Sequence, residues 1–482
     1  MLSTLPNLVP TLPEIFVLLM ALVILIVGTF FVRYSQIPYY LAQTTVIAVF
    51  CLTWYVFPVS KFSTTIFTFH HMFVLDHLSF YSKLFIYLLI LFAFLYAREY
   101  NQERKIPATE FYVLGLLSLL GMMILVSSHN LLIIFLGLEL SSLPTYAMVA
   151  MQRRKTRCVE AGMKYFVIGA IASGMLTYGI SMVFGATCSL DLTNIAVAVS
   201  QMSIHQNLIL VFSLIFIVIG IAFKLGVAPF HMWIPDVYEG APSSVTLFIS
   251  TIPKIAAFTM TIRLLVNAMP ALQGQWHEML VVVAILSMGI GNVVAIVQSN
   301  IKRMLAYSSI AHMGYTLLGI LCGTKEGYAA AMFYIITYSF MALGGFGMII
   351  LMSRRGFESE DIKDFTGLNN RNPLLAFMMM LILFSLVGIP PFVGFIAKVG
   401  VLNALIKVHL VWLAVLAVLF AIVGAYYYIR VVKVMYFENS PVSLKPVKYS
   451  FELKIAILIN GLAVLFMGIF PGWLYALSHL AF

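Results

Sequence analysis

The sequence predicts an all-α integral membrane protein of about fourteen transmembrane helices, built from two inverted five-helix repeats that each contain a broken helix. Three observations carry that prediction. Hydrophobic residues make up 62% of the chain and charged ones 10%, with a mean hydropathy of +1.02, which leaves too little polar surface for a water-soluble globule. Apolar windows of about 20 residues, the length that crosses a bilayer, centre near residues 23, 48, 88, 119, 141, 173, 218, 254, 288, 312, 340, 388, 422 and 464. Finally, Gly226-Val-Ala-Pro229-Phe230 at the end of the seventh window recurs as Gly388-Ile-Pro390-Pro391-Phe392 in the twelfth. A displacement of five spans, an odd number, makes the second copy enter the membrane from the opposite side, as in inverted-repeat transporters.

Taken in order, Met1 to Pro13 has no basic stretch and no small-residue cleavage site, so the first apolar run, Ile15 to Phe31, reads as a retained helix. Residues 1–108 form the N-terminal helices, 109–267 the first repeat, 278–437 the second and 451–482 a C-terminal helix, all in one membrane domain, 1–482. Within the first segment, Lys61 to Asp76 alternates polar and apolar residues and reads as a short β-hairpin at the membrane surface. The longest polar connector, Ser353 to Arg371, is too short to fold alone.

The net charge of +10 is an orientation signal. Loops after odd-numbered spans carry Arg33; Arg98, Arg104 and Lys105; Arg153, Arg154, Lys155 and Arg157; Lys302 and Arg303; Arg354, Arg355, Lys363 and Arg371; and Lys433, Lys445 and Lys448. Even-numbered loops hold little beyond Lys61, Lys325 and Lys407. The odd loops are therefore cytoplasmic and both termini face the opposite side, the periplasm of a bacterial inner membrane. The basic residues form no stripe suited to nucleic acid. Cys51, Cys158, Cys188 and Cys322 lack metal-ligand or redox spacing and read as small apolar fillers. Gly289-Ile-Gly291 lies inside an apolar helix with no strand before it, so it is not a dinucleotide fingerprint.

Chemistry is carried by charges placed where charge is expensive. Lys224, Lys254, Lys398 and Glu139 lie inside apolar spans, where an ionised group costs about 2.5–3.5 kcal/mol on insertion scales. Glycine and proline at Gly226, Pro229, Gly388, Pro390 and Pro391 should break their helices and free backbone carbonyls at mid-membrane. Lys224 precedes the first break, with its ammonium expected on those carbonyls and Glu139 as its counter-ion. Lys254 is expected to pass a proton onward, and Lys398 follows the second break by about two turns. Weaker candidates are His312, in a strip of serines and tyrosines, and Glu160 with Lys164 at ion-pair spacing. Arg263 and Arg430, near span ends, are expected to face headgroups or neighbouring helices.

The run from Lys224 to Pro242, KLGVAPFHMWIPDVYEGAP, followed by Lys254, resembles the signature of the antiporter-like subunits shared by respiratory complex I and Mrp-type cation/proton antiporters. The segments Asn300 to Tyr315 and Gly388 to Lys398 match as well, and the resemblance spans nearly the whole chain. The length, the absence of a long C-terminal lateral helix and a lysine at position 398 point to the bacterial complex I branch. That resemblance implies proton translocation, with Glu139 and Lys224 as the charge pair of an input half-channel, Lys254 as the connecting residue and Lys398 as the terminal output residue. It also implies neighbouring complex I subunits as partners. No cofactor is expected in this chain, while NADH, FMN, iron–sulfur clusters and quinone are expected in those partners. Pro253 before Lys254 and Val399 after Lys398 depart from the branch pattern and bear on local geometry. The runner-up is an Mrp-type sodium/proton antiporter subunit, and a third reading is a scaffold whose buried charges only lock helices together.

Overall fold

The computed structural model describes residues 6–31, 36–57, 65–202, 208–353, 357–438 and 450–482. Its helices are α1 (Leu12–Phe30), α2 (Ile37–Val56), α3 (His77–Glu103), α4 (Ala108–Val126), α5 (Leu131–Val149), α6 (Thr156–Thr187), α7 (Leu192–Gln201), α8 (Leu208–Leu225), α9 (Trp233–Gly240) and α10 (Ser243–Thr261). There follow α11 (Gln273–Ile296), α12 (Ile301–Leu321), α13 (Lys325–Met352), α14 (Leu368–Arg371), α15 (Pro373–Val387), α16 (Val393–Lys407), α17 (Val411–Phe437), α18 (Phe451–Ile469) and α19 (Gly472–Leu480). Among the described residues thirteen helices are long and apolar enough to cross a membrane, and α15 with α16 makes a fourteenth, divided pass. The expected hairpin is present as antiparallel β1 (Ile66–Thr68) and β2 (Phe73–Leu75), while its start at Lys61 lies outside the described residues. Arg33, Arg354, Arg355, Lys445 and Lys448 also lie outside them.

Two central helices are sheathed by the rest. The membrane windows of α10 and α13 are wholly buried and α12 nearly so, whereas α1, α6 and α17 leave most of theirs open for lipid or a neighbour. This graded burial explains why the membrane-length helices show only weakly one-sided patterns: the inner ones meet protein all round, and the outer ones present apolar side chains to lipid. The C-terminal segment, expected as one helix, is two, because Pro471 after Phe470 has no amide to continue the ladder.

Matching local devices recur in the two halves. Asn130 caps α5 and Asn300 caps α12 through their side chains, and each pairs its backbone with an aspartate at the same spacing, Asp191 and Asp361. The pairs α4–α5 and α11–α12, α6–α8 and α13–α15, and α4–α10 and α11–α17 pack in corresponding ways.

The N-terminal helices are fastened by an ion pair. Lys83 of α3 is fully buried and reaches Glu14 of α1 at 2.6 Å, with its ammonium 5.0 Å from the Phe73 ring centroid. Removing one partner of a buried pair leaves an uncompensated charge, which costs about 3–5 kcal/mol. Lys83→Met is therefore expected to loosen α1 and lower the melting temperature of the assembled protein, and the double variant Glu14→Leu with Lys83→Met to recover most of the loss. A thermal-unfolding double-mutant cycle in detergent measures this; purely additive effects would show that the pair is not coupled.

A candidate proton line through two capped helix breaks

Each break is a glycine-ended helix followed by a proline turn. At the end of α8, Gly226 adopts φ +75°, its N–H donates to the Phe223 carbonyl at 3.0 Å, and the Val227 N–H donates to the Ala222 carbonyl at 2.9 Å. At the end of α15, Gly388 adopts φ +87°, its N–H donates to the Ser385 carbonyl at 3.0 Å, and the Ile389 N–H donates to the Phe384 carbonyl at 3.1 Å. Both are Schellman caps, in which a left-handed glycine turns the chain and the fourth- and third-last carbonyls of the helix are satisfied. Glycine, not proline, thus terminates each half-helix. Pro229, Pro390 and Pro391 lie in the turns between half-helices, with cis bonds at Ala228–Pro229 and Pro390–Pro391.

Such a cap leaves the last two carbonyls open, at the negative end of the helix dipole. A lysine takes up each opening. The Lys254 ammonium, carried by the adjacent α10, donates to the Leu225 carbonyl. The Lys398 ammonium donates to the Val387 carbonyl at 2.6 Å and the Leu386 carbonyl at 3.3 Å. Leu225 and Val387 stand directly before the two glycines, so the sites correspond. Helical side chains lean toward their own N-terminus, which sends Lys398 of α16 back across the break.

The same lean corrects the expectation for Lys224. Its ammonium points away from the break and donates to Ser142 at 2.6 Å and Ser141 at 3.4 Å, while Lys254 occupies the freed carbonyl. Its expected contact with Glu139 is also replaced: Lys224 and Glu139 form no ion pair, and the Glu139 carboxylate accepts a hydrogen bond from Ser173 of α6. Ser173 lies between them, lining both the Lys224 crevice and a lateral groove that contains Glu139. The Lys224 crevice, about 10 Å³, has room for about one water beside Lys224 and Ser173.

His312 stands between the breaks at 3% exposure, with Nδ1 2.8 Å from the Tyr334 hydroxyl and Nε2 3.1 Å from that of Tyr428. Tyr428 also hydrogen-bonds Ser308, and Tyr315 stacks on Tyr334 and lies below the Lys398 ammonium, 5.4 Å from its ring centroid. Tyr334 and Tyr428 escape the sequence reading. They come from α13 and α17, and nothing local distinguishes them among 24 tyrosines.

Glu160 and Lys164 do pair, at 3.0 Å, but at the surface, where Lys164 also reaches Asp236 at 2.9 Å. Arg303 joins Asp236 to Glu239, Arg157 joins Glu239 to Glu360, and Lys302 closes the chain on Glu360 at 3.0 Å. Burial pushes the Glu360 carboxyl up, but Lys302 and Arg157 outweigh it and hold the group below the usual glutamate range. Its contribution is thus present above that range and lost as pH falls through the depressed value. Arg263 is buried against Asp76 at 2.7 Å, and Arg430 covers the Ile296 carbonyl at 2.7 Å at the end of α11, so both serve neighbouring helices. Pro253 stays inside an unbroken α10. Cys158 and Cys322 are buried, but Cys51 and Cys188 are exposed on the isolated chain, so only two of the four act as fillers there. Among the described residues no cluster of histidine, cysteine and carboxylate side chains could hold a metal.

The family model described as NADH:quinone oxidoreductase/Mrp antiporter membrane domain matches residues 128–424, a span that contains both breaks. The chain is 77% identical over 480 residues, covering all of both chains, to NADH-quinone oxidoreductase subunit N of Coxiella burnetii. The chain belongs to the subunit N family. Its likeness to subunit N of Thioalkalivibrio sulfidiphilus is 51% identity over 98% of each chain. Among solved structures, a chain of respiratory complex I from Thermus thermophilus with bound aureothin matches at 27% identity and a TM-score of 0.81, over 96% of this subunit N family member and 99% of that chain.

Proposed function

We propose that the chain is a proton-translocating membrane subunit of an NADH-quinone oxidoreductase, carrying protons along Glu139, Lys224, Lys254, His312 and Lys398. NADH oxidation and quinone reduction, with their FMN and iron–sulfur clusters, belong to partner subunits. The observation that carries this reading is the matched pair of capped breaks, each with a lysine on the freed carbonyl. In dry surroundings an ammonium is unfavourable unless dipoles or counter-charges offset its desolvation. A small shift of either cap off its lysine removes that support and drives the proton to the next group. The signal from the redox subunits has only to move a helix end.

Residues 109–267 and 278–437 read as the two inverted repeats, each supplying one cap. Glu139, half-buried in a groove open to the side, faces the direction in which a neighbouring membrane subunit would cover it. The basic loops are assigned to the cytoplasm, and both termini to the periplasmic side of a bacterial inner membrane. Glu160 and Lys164 act as entrance-side surface charges. The full-length identity to subunit N favours this reading over an Mrp-type antiporter subunit.

The test is Lys224→Ala and Lys398→Ala in the assembled oxidoreductase, with proton pumping in proteoliposomes measured beside NADH-to-quinone electron transfer. Loss of a positioned proton carrier costs at least about 100-fold when it is obligatory, so pumping is expected to fall to the detection limit in both. A complex that assembles correctly and pumps at its full rate in both variants would leave the buried charges as helix locks.

A further inference from the structure

A cavity of about 570 Å³ opens between the end of α1, the start of α2, the end of α3 and the start of α4, beside the basic loops. One wall is apolar: Leu25 and Phe31 continue the exposed stripe of α1 that includes Leu18, Leu22 and Ile26. The other wall is charged, and two of its charges are unused. Lys105 and Glu110 line the same cavity, and neither makes an ion pair or side-chain hydrogen bond among the described residues. Arg98, which also borders it, is engaged by both Glu452 carboxylate oxygens at 2.6 and 2.8 Å and is not free to neutralise Glu110. A further polar group borders the cavity unsatisfied: Asn101 is 2% exposed and its amide nitrogen has no hydrogen-bond acceptor.

Two unpaired charges of opposite sign beside an apolar stripe call for a ligand that carries both counter-charges and a hydrocarbon tail. We propose that this cavity binds the headgroup of a zwitterionic phospholipid with a primary ammonium, its phosphodiester against Lys105 and its ammonium against Glu110, with the acyl chains along α1. A purely anionic lipid would satisfy Lys105 but be repelled by Glu110, and inorganic phosphate would use neither Glu110 nor the apolar wall. Headgroup recognition by basic pockets between membrane helices follows the same electrostatics.

The experiment uses the intact purified complex with a phosphatidylethanolamine carrying a photoreactive diazirine in the acyl chain close to the glycerol, and maps crosslinks by peptide mass spectrometry. Crosslinks are expected within residues 18–31 and 98–112. Unlabelled phosphatidylethanolamine should displace the probe about fivefold better than phosphatidylglycerol, the discrimination of about one surface charge. Lys105→Ala and Glu110→Gln should each lower labelling to a similar extent while pumping and electron transfer stay at wild-type rates, which also shows that the variants fold. Equal competition by phosphatidylglycerol, displacement by millimolar inorganic phosphate, unchanged labelling in both variants, or no crosslink because a partner subunit covers the cavity would each overturn the proposal.

Discussion

Lys254→Arg should assemble normally and yet pump at less than about a tenth of the wild-type rate. Arginine keeps a permanent cation on the Leu225 carbonyl, so the end of α8 stays satisfied and the fold is retained. What it cannot do is give the proton up, because a guanidinium does not deprotonate in proteins. Lys254→Met separates the two roles from the other direction. It keeps the apolar stem, removes the ammonium and leaves a buried carbonyl without a donor at about 1–3 kcal/mol, so both stability and pumping should fall. Acidification measured in proteoliposomes, beside the thermal midpoint of the complex, distinguishes the pair. Wild-type pumping by Lys254→Arg would mean that this site stabilises a helix end and never releases a proton.

The second large effect is expected at a residue with no titratable group. In Gly388→Ala the new Cβ would lie 2.9 Å from Lys398 Cδ and 3.3 Å from its Nζ, and the backbone at φ +87° disfavours any side chain. The left-handed conformation costs about 1–2 kcal/mol and the overpacking about 1–3 kcal/mol more. The overpacking is relieved by shifting Lys398 off the Val387 carbonyl, so pumping should fall steeply while the lysine itself is still present. Gly226→Ala should act likewise, since its Cβ would meet the Ile234 side chain and come within 3.2 Å of the Lys254 ammonium. Gly400→Ala is the control, because a Cβ there meets only ordinary contacts at 3.9 Å and the residue lies inside α16. The idea fails if Gly388→Ala pumps as well as Gly400→Ala.

These glycines also mark how far the sequence could be read. The repeated glycine–proline signature located both breaks, since a glycine in that setting ends a helix by local backbone conformation. The apolar windows located fourteen passes for an equally local reason. Which ammonium would reach which carbonyl was not legible for Lys224 and Lys254, because the direction of a helical side chain and the neighbour that packs on a helix end are decided by tertiary arrangement. Glu139 was identified as a buried acid, but its partner Ser173 lies on another helix. Lys83 went unnoticed although it sits in an apolar span like the other three, because its counter-ion, Glu14, is 69 residues away in the first helix.

The surface network has a mechanical consequence. Glu360, from the connector after α13, grips Arg157 at the entrance of α6 and Lys302 at the start of α12, while Arg303 ties α12 to α9 through Asp236 and Glu239. All but the Lys302–Glu360 bond cross between the halves that an alternating-access transporter would rock against each other. Rocking here would have to tear three ion pairs at one face and unpack the fully buried α10 from α13. Such cross-bracing favours the proposed small displacements at two helix ends over rocking, much as a valve seat moves inside a fixed casing.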